Sequence, residues 1–446
     1  MSRGLGDVYK RQPYISVVPR VFHTGESQKI TIKSKHDFVH LKGVYSVSIL
    51  PRYEYQYNSE LGTAHYDSFD VEAVNNELSF YYEFGVEQEY NIFVEPHDKT
   101  GRNVQGVKTS VYALDSDLYG KKVMKGDLHL HTTFSDGLET PEHRAVVARK
   151  NGFDFIAITD HNNYLGSIHL REKMDRCKTN MIFIRGEEVH AAKCPVHILS
   201  LGANKAIAPQ VTEITDEQKQ ILLDLVDLYS GKVDEKVDIR AFVAAMDVFN
   251  KIKDAGGVSV LCHIYWDAVD TMHHNRMGAP EQLINALVNE CKFDAFEITS
   301  GAPESDLKAN YLQEIYYREK LPMNFPIIGI TDSHTTLEAM TIFGKNYTIA
   351  FTDDRSEMGV LNALRQGLTV SVDGVGSNVI CHGSLRLVKY ASFLRERFYQ
   401  RHDELARLEA LLMERVLNEN YDYISLVETV CDDNNMLMNE EWKVIM

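Results

Sequence analysis

Gly126-Asp127-Leu128-His129-Leu130-His131-Thr132-Thr133-Phe134-Ser135-Asp136-Gly137 closes an apolar, strand-like run with two histidines and a nearby carboxylate. Successive side chains of a β-strand point to opposite faces, so His129 and His131 share one face while Leu128 and Leu130 take the other. Asp136 follows shortly, just before Gly137, where a turn can fold its carboxylate back towards the same cavity. The result is an N,N,O set suited to a hard or borderline divalent metal. A lone His-x-His carries little weight in a chain with 18 histidines among 446 residues.

The same arrangement returns downstream. Residues 153–161, Phe-Asp-Phe-Ile-Ala-Ile-Thr-Asp-His, are a second apolar run ending in an acid and a histidine. Met-Ile-Phe-Ile-Arg-Gly-Glu-Glu-Val-His at 181–190 is a third, Val-Ser-Val-Leu-Cys-His263 a fourth, and Pro326-Ile-Ile-Gly-Ile-Thr-Asp332-Ser-His334 a fifth. Between them the chain reads as helix. Thr140 is placed to cap a helix over Glu142 to Asn151 with Pro141 in its first turn, and Gly152 stands where a C-terminal cap belongs. Asp238 caps a helix from Ile239 to Ala255, ended by Gly256-Gly257, and 281–292 and 306–320 read as two more. Alternating strand and helix predicts a parallel sheet, and ligands at strand C-termini are what a β/α barrel gathers at one mouth.

These residues resemble the PHP (polymerase and histidinol phosphatase) domain family over roughly residues 122–375. The resemblance implies a distorted (β/α)7 barrel that binds three divalent metal ions, manganese, iron or zinc, through nine side chains. Its motifs fall on His129, His131 and Asp136, on His161, on Glu188 and His197, on His263, and on Asp332 with His334. By the same resemblance His129, His131, Glu188 and Asp332 hold a first ion, and Glu188 bridges to a second shared with His197 and His263. Asp136, His161 and His334 hold a third. Glu187 and Glu188 face opposite sides of a strand, so one of them points inward, and the motif favours Glu188. His190 shares a face with Glu188 and rivals His197. Asp160 cannot easily point the same way as His161 and is assigned to orienting a neighbouring imidazole.

The chemistry that the resemblance implies is phosphoester hydrolysis at this trinuclear site by a metal-bridging hydroxide, since metal-bound water ionises near neutral pH. Six neutral imidazoles and three carboxylates carry about −3, so three divalent ions leave the site cationic within a chain of net charge -17. The expected substrate is a small phosphate monoester or diester. Arg185 and Arg276 are candidates to hold its phosphate, and Tyr265 and Trp266 to stack on its organic part. His273 and His274 are candidates for the pocket mouth. His23, His36, His40, His65, His97, His143, His169, His382 and His402 read as surface or satisfied core residues.

Hydrophobic residues make up 44% of the chain, enough for more than one core. Residues 13–117 carry short alternating strands separated by turn residues, which predicts an all-β, immunoglobulin-like sandwich with a structural role, a ligand-binding module being the alternative. After the barrel at 122–375, residues 376–446 read as a helical extension that packs on the barrel or forms a dimer interface, which makes a homo-oligomer possible. In it Phe393, Leu394, Phe398, Leu405, Leu408 and Leu412 fall on one face, and an acidic, solvated tail follows. Met1 to Gln12 resembles a translated sequencing adapter and is read as a non-native leader. Six scattered cysteines indicate neither a zinc ribbon nor a disulfide framework, which suits a reducing, cytoplasmic setting, and no apolar run is long enough for a membrane span. The rival functions are a proofreading-type exonuclease, disfavoured by the net negative charge, a metal-dependent C–N hydrolase, and a non-catalytic metal-binding interaction protein.

Overall fold

The computed structural model describes residues 15–34, 40–98, 106–266, 269–270, 275–276, 278–301, 306–337, 342–375 and 379–442. The leader expected at residues 1–12, together with His36, His273 and His274, lies outside them. The chain is a mixed α/β protein that divides into two compact units.

One unit comprises residues 1–121, 392–398 and 433–446. Its strands Ile15–Val18, Ser27–Ser34 and Glu77–Glu83 form an antiparallel sheet. A five-stranded sheet runs in the order Val21–His23, Val107–Leu114, Gln88–Pro96, Val44–Pro51 and Asp67–Glu72. Burial alternates along Val44–Pro51 as an amphipathic strand requires. Ile30, Ile32 and Leu78 from the first sheet share one buried cluster with Val47, Ile49 and Ile92 from the second.

The other unit comprises residues 122–391 and 399–432. Its six-stranded sheet has the order Ile182–Ile184, Phe155–Ile158, Lys122–Leu130, Tyr347–Thr352, Thr369–Asp373, Ile380–His382. Its five-stranded sheet has the order Gly186–His190, His197–Leu201, Val258–Leu261, Ala295–Thr299, Ile327–Gly329. The sheets are mixed, not parallel throughout. Phe155–Ile158 runs parallel to both of its neighbours, whereas Gly186–His190 and His197–Leu201 pair antiparallel. The loop 191–196 between that pair is too short for a crossover helix, which takes a dozen or more residues.

Helices Pro141–Lys150, Ile239–Asp254, Glu281–Glu290 and Asp306–Lys320 stand between the strands. Thr140 accepts a hydrogen bond from the His143 N–H, and Asp238 accepts from the N–H groups of Arg240 and Ala241. Phe242, Met246, Phe249 and Ile252 line the buried face of Ile239–Asp254 and meet Leu261, Phe296 and Ile298 from the strands. Each such aromatic or aliphatic side chain contributes about 1.5–3 kcal/mol by leaving water.

The C-terminal region departs from the expected helical extension. It begins with the strand Ile380–His382, and the helix breaks into Leu385–Arg397 and Tyr399–Leu417 at Phe398. The break shifts the helical register. Phe393, Leu394 and Phe398 are buried, but Leu408 is exposed, and the buried face of the second helix runs through His402, Ala406, Glu409, Ala410 and Met413. The expected solvated tail instead forms a helix, Ile424–Trp442, that buries Val427, Val430 and Leu437. No helix among the described residues is long and apolar enough to cross a membrane.

Candidate metal centre

Lys122–Leu130 sends Asp127 and His129 to one face. Its end is fixed by neighbouring backbone: the N–H of His131 donates to the Ser333 carbonyl (3.1 Å), and the N–H of Thr159 to that of Leu130 (2.8 Å). The chain then turns back at Gly137, where a Cβ would lie 2.4 Å from the His131 carbonyl oxygen, so only glycine permits the approach. The turn brings Asp136 within 3.3 Å of His334 Nε2 and 3.5 Å of His161 Nε2.

Glu188 stands at the centre, fully buried. Its Oε1 lies 2.9 Å from both His197 Nδ1 and His263 Nε2. Its Oε2 lies 2.7 Å from His161 Nδ1 and 3.4 Å from the Nε2 atoms of His129 and His131. Asp332 Oδ1 approaches the same two atoms, at 3.2 and 2.9 Å. All nine side chains named by the sequence motifs therefore meet in one cluster. Two of its buried nitrogens, His129 Nε2 and His131 Nδ1, make no well-formed hydrogen bond among the described residues, and Glu188 Oε2 is met by imidazoles as an ion-pair partner.

Charge is balanced here by protons. Burial works against ionisation of Glu188, but His129, His161 and His190 outweigh it and hold the carboxyl well below its usual range. Asp332 is held low in the same way, against burial, by His129 and His131. Burial depresses the His129 imidazole, yet Asp332 and Glu188 raise it well above the usual value. Glu188 likewise overcomes burial to raise His161, and to bring His263 to about 9. For His197 and His131 burial wins, lowering the first to about 4. The proton that His263 holds at neutral pH thus offsets carboxylate charge that divalent cations can offset instead.

Two of the nine residues hold a left-handed backbone: His263, with φ 28°, and Asp332, with φ 49°. His263 lies two residues beyond Val258–Leu261 and Asp332 three beyond Ile327–Gly329, and such conformations cost about 1–3 kcal/mol and persist only where the surroundings fix them. Glu297 supplies that fixing for His263, whose N–H donates to its Oε1 (3.0 Å), while its Oε2 lies 3.4 Å from His129 Nδ1. Arg144 buttresses the other turn, donating to Ser333 Oγ at 3.0 Å.

Glu187 points away from the cluster and accepts from the N–H groups of Ile207 and Ala208. His190 and His197 both border the cluster, each in a group with Glu188. They pair across adjacent antiparallel strands, their rings stack 3.6 Å apart, and His190 Nε2 lies 3.0 Å from His161 Nδ1. Asp160 bonds to no imidazole among the described residues. It accepts from the N–H and Oγ1 of Thr132 (2.6 and 2.7 Å) and from Ser135 Oγ (2.7 Å), and so holds the turn that carries Asp136. Arg185 lies outside the cluster, its Nε donating to Glu357 Oε1 at 3.0 Å. The side chain of Arg276 is outside the described residues. Trp266 packs near His197 and His263, at ring distances of 5.5 and 5.9 Å, and Tyr265 lies 6.1 Å from Tyr316. Sequence reasoning missed Glu297, although an acid inside the apolar run Ala295-Phe-Glu-Ile-Thr299 is the signal that marks it.

Comparison with known proteins agrees with the motifs. Residues 127–236 match the family model of the PHP domain, and the chain carries a PHP domain. It is 30% identical over 107 residues to the DNA polymerase/3'-5' exonuclease PolX of Bacillus subtilis, a match covering 24% of this chain and 17% of that protein. It is 39% identical over 85 residues to the 5'-3' exoribonuclease Rnm of Salmonella typhimurium, covering 18% of this chain and 28% of that protein. The matches thus span well under half the length of these relatives. Among solved structures, a two-domain protein of Bacteroides vulgatus containing a predicted PHP-like metal-dependent phosphoesterase matches with a TM-score of 0.39 and 20% identity. That match covers 58% of this chain and 66% of that one.

Proposed function

We propose that the chain is a metal-dependent phosphoesterase acting on a small phosphate monoester or diester at a trinuclear centre. His129, His131, Glu188 and Asp332 hold one ion, Glu188 with His197 and His263 a second, and Asp136, His161 and His334 a third. The observation that carries this reading is the gathering of imidazole nitrogens and carboxylate oxygens in groups within 4.8 Å, where buried His129 Nε2 and His131 Nδ1 make no well-formed hydrogen bond among the described residues. Native proteins pair their buried polar atoms, so nitrogens left without a good hydrogen bond inside such a group fit a cation. Nitrogen and carboxylate donors within 4.8 Å of one another suit manganese, iron or zinc.

When bound, such ions supply Lewis acidity and make water acidic enough to attack phosphorus. The protein's own contribution is placement. Glu188 keeps both oxygens charged and central, Glu297 faces His129 Nδ1 so that Nε2 points inward, and Asp160 sets the turn that returns Asp136. A distorted (β/α)7 barrel is the architecture we infer for this unit, supported by bridges Leu130–Ser333 and His161–Glu188 that join strand ends near the site. An immunoglobulin-like sandwich is the corresponding reading of the N-terminal strands, supported by the apolar core their two sheets share.

A nuclease is the second reading, favoured by the exonuclease relatives over the matched segment. The test is a panel of a phosphomonoester, a phosphodiester, a single-stranded oligonucleotide and an amide, offered to manganese-loaded protein. Hydrolysis of the small esters, to phosphate from the monoester or to a monoester from the diester, abolished by chelation and by Glu188→Gln, is expected. Turnover that survives both treatments contradicts the reading.

A further inference from the structure

A cavity of about 1160 Å³ is lined by His263, Asp332 and His334, and so opens onto the proposed centre. Sites for drug-sized ligands occupy roughly 300–1,000 Å³, so the space far exceeds what a phosphoryl group fills. Its lining also includes Trp266 and Tyr316. The Trp266 ring lies 5.5 and 5.9 Å from the rings of His197 and His263, which sets a flat aromatic surface directly beside the imidazoles.

Gln313 lines the same cavity and is fully buried. Its Nε2 donates to the backbone carbonyls of Glu297 and Ile298, each at 3.0 Å, which fixes how the amide is turned. Its Oε1 is buried with no partner among the described residues. An amide oxygen can only accept, so the complement it lacks is a donor. Leaving such an acceptor unpaired is unfavourable, and a ligand that brings an N–H or O–H is favoured over one that does not.

We propose that this cavity is the leaving-group site of the phosphoesterase, taking an aryl-bearing alcohol that carries a hydrogen-bond donor. Gln313 Oε1 accepts from that donor and Trp266 lies against the ring. The proposal rests on the phosphoesterase reading. In the reaction a bond forms from a water oxygen to phosphorus, the bond from phosphorus to the alkoxy oxygen breaks, and the alcohol leaves with a proton from that water.

The experiment uses the full, manganese-loaded chain with benzyl phosphate, the ring-substituted aminobenzyl phosphates and glycerol phosphate, whose leaving alcohols share similar reactivity. We expect kcat/KM to be at least about fivefold higher for one aminobenzyl isomer than for benzyl phosphate, the size of one hydrogen bond. Benzyl phosphate should in turn exceed glycerol phosphate. Gln313→Met should bring the amino-to-benzyl ratio to about one. Glycerol phosphate turned over as fast as the aromatic esters, or a ratio unmoved by Gln313→Met, overturns the proposal. The order among esters in the unmodified chain tests it even if that variant misfolds. Calorimetric titration with the aminobenzyl alcohols alone separates the two claims. Binding without hydrolysis of any ester upholds the cavity and removes the phosphoesterase reading, whereas hydrolysis without binding does the reverse.

Discussion

Glu188 is buried yet ionised because imidazoles ring both of its oxygens, and the arrangement holds only while those rings keep their orientation. Glu297 is the group that orients two of them, through His129 Nδ1 and the His263 N–H. Glu297→Ala should therefore weaken metal binding about 10- to 100-fold, the usual effect of losing a carboxylate behind a ligand histidine. Metal titration checks this, with circular dichroism confirming the fold, and an unchanged affinity would show that Glu297 merely fills space. His129 and His131 were legible as a pair because strand alternation gives them one face, and apolar runs marked most of the others, whereas His197, which opens its strand, came only from the family resemblance. Glu297 was not legible, because it sits inside its strand, where a pattern of strand followed by ligand does not look. Asp160 was placed but its task was misjudged, since its partners Thr132 and Ser135 lie across a turn whose path alternation does not predict.

Among the elements, the helix Tyr399–Leu417 shows where apolar periodicity misleads. Its buried face carries charge: Arg149 Nη2 lies 2.6 Å from Glu409 Oε2, and Asp154 Oδ1 lies 3.1 Å from Arg149 Nη1 and 3.0 Å from His402 Nε2. Counting leucines put the buried face on Leu405, Leu408 and Leu412, because paired charges look like solvent residues in a sequence. Glu409→Ala should cost about 1.5–3 kcal/mol, since Arg149 keeps Asp154 but its buried Nε and Nη2 lose their charged acceptor. The midpoint of urea unfolding reads this, and a loss below about 1 kcal/mol would mean water reaches the guanidinium. The same network sets an acid limit. Burial would raise the Asp154 carboxyl, but His402 and Arg355 hold it well below the usual value. Its stabilisation is thus present above about pH 4, where the unfolded carboxyl is ionised, and is lost as pH falls further. By contrast, the caps at Thr140 and Asp238 were legible because a single side chain bonding to nearby N–H groups is a local event.

For the molecule as a whole, the alternation of strand and helix gave the α/β class, but not the antiparallel pairs, which depend on loop lengths such as that of 191–196. The net charge of -17 says little about the site, because three divalent ions would outweigh its carboxylates. Metal and proton compete there. His263, raised to about 9, carries a proton at neutral pH when no metal is bound, while His197, lowered to about 4, does not, and the carboxylates shift His129 and His161 in the same direction as His263. The His263–Glu188 pairing stabilises the metal-stripped fold fully below about pH 6.5 and is lost as pH rises through about 9. Metal affinity should therefore climb from pH 6 towards 9 as that proton leaves. The most direct measurement is calorimetric titration of the chelator-stripped protein with manganese at pH 7, repeated in buffers of differing ionisation enthalpy. The account predicts close to three ions bound per chain with net proton release. Binding without proton release, or the same stoichiometry in Glu188→Gln, would contradict it.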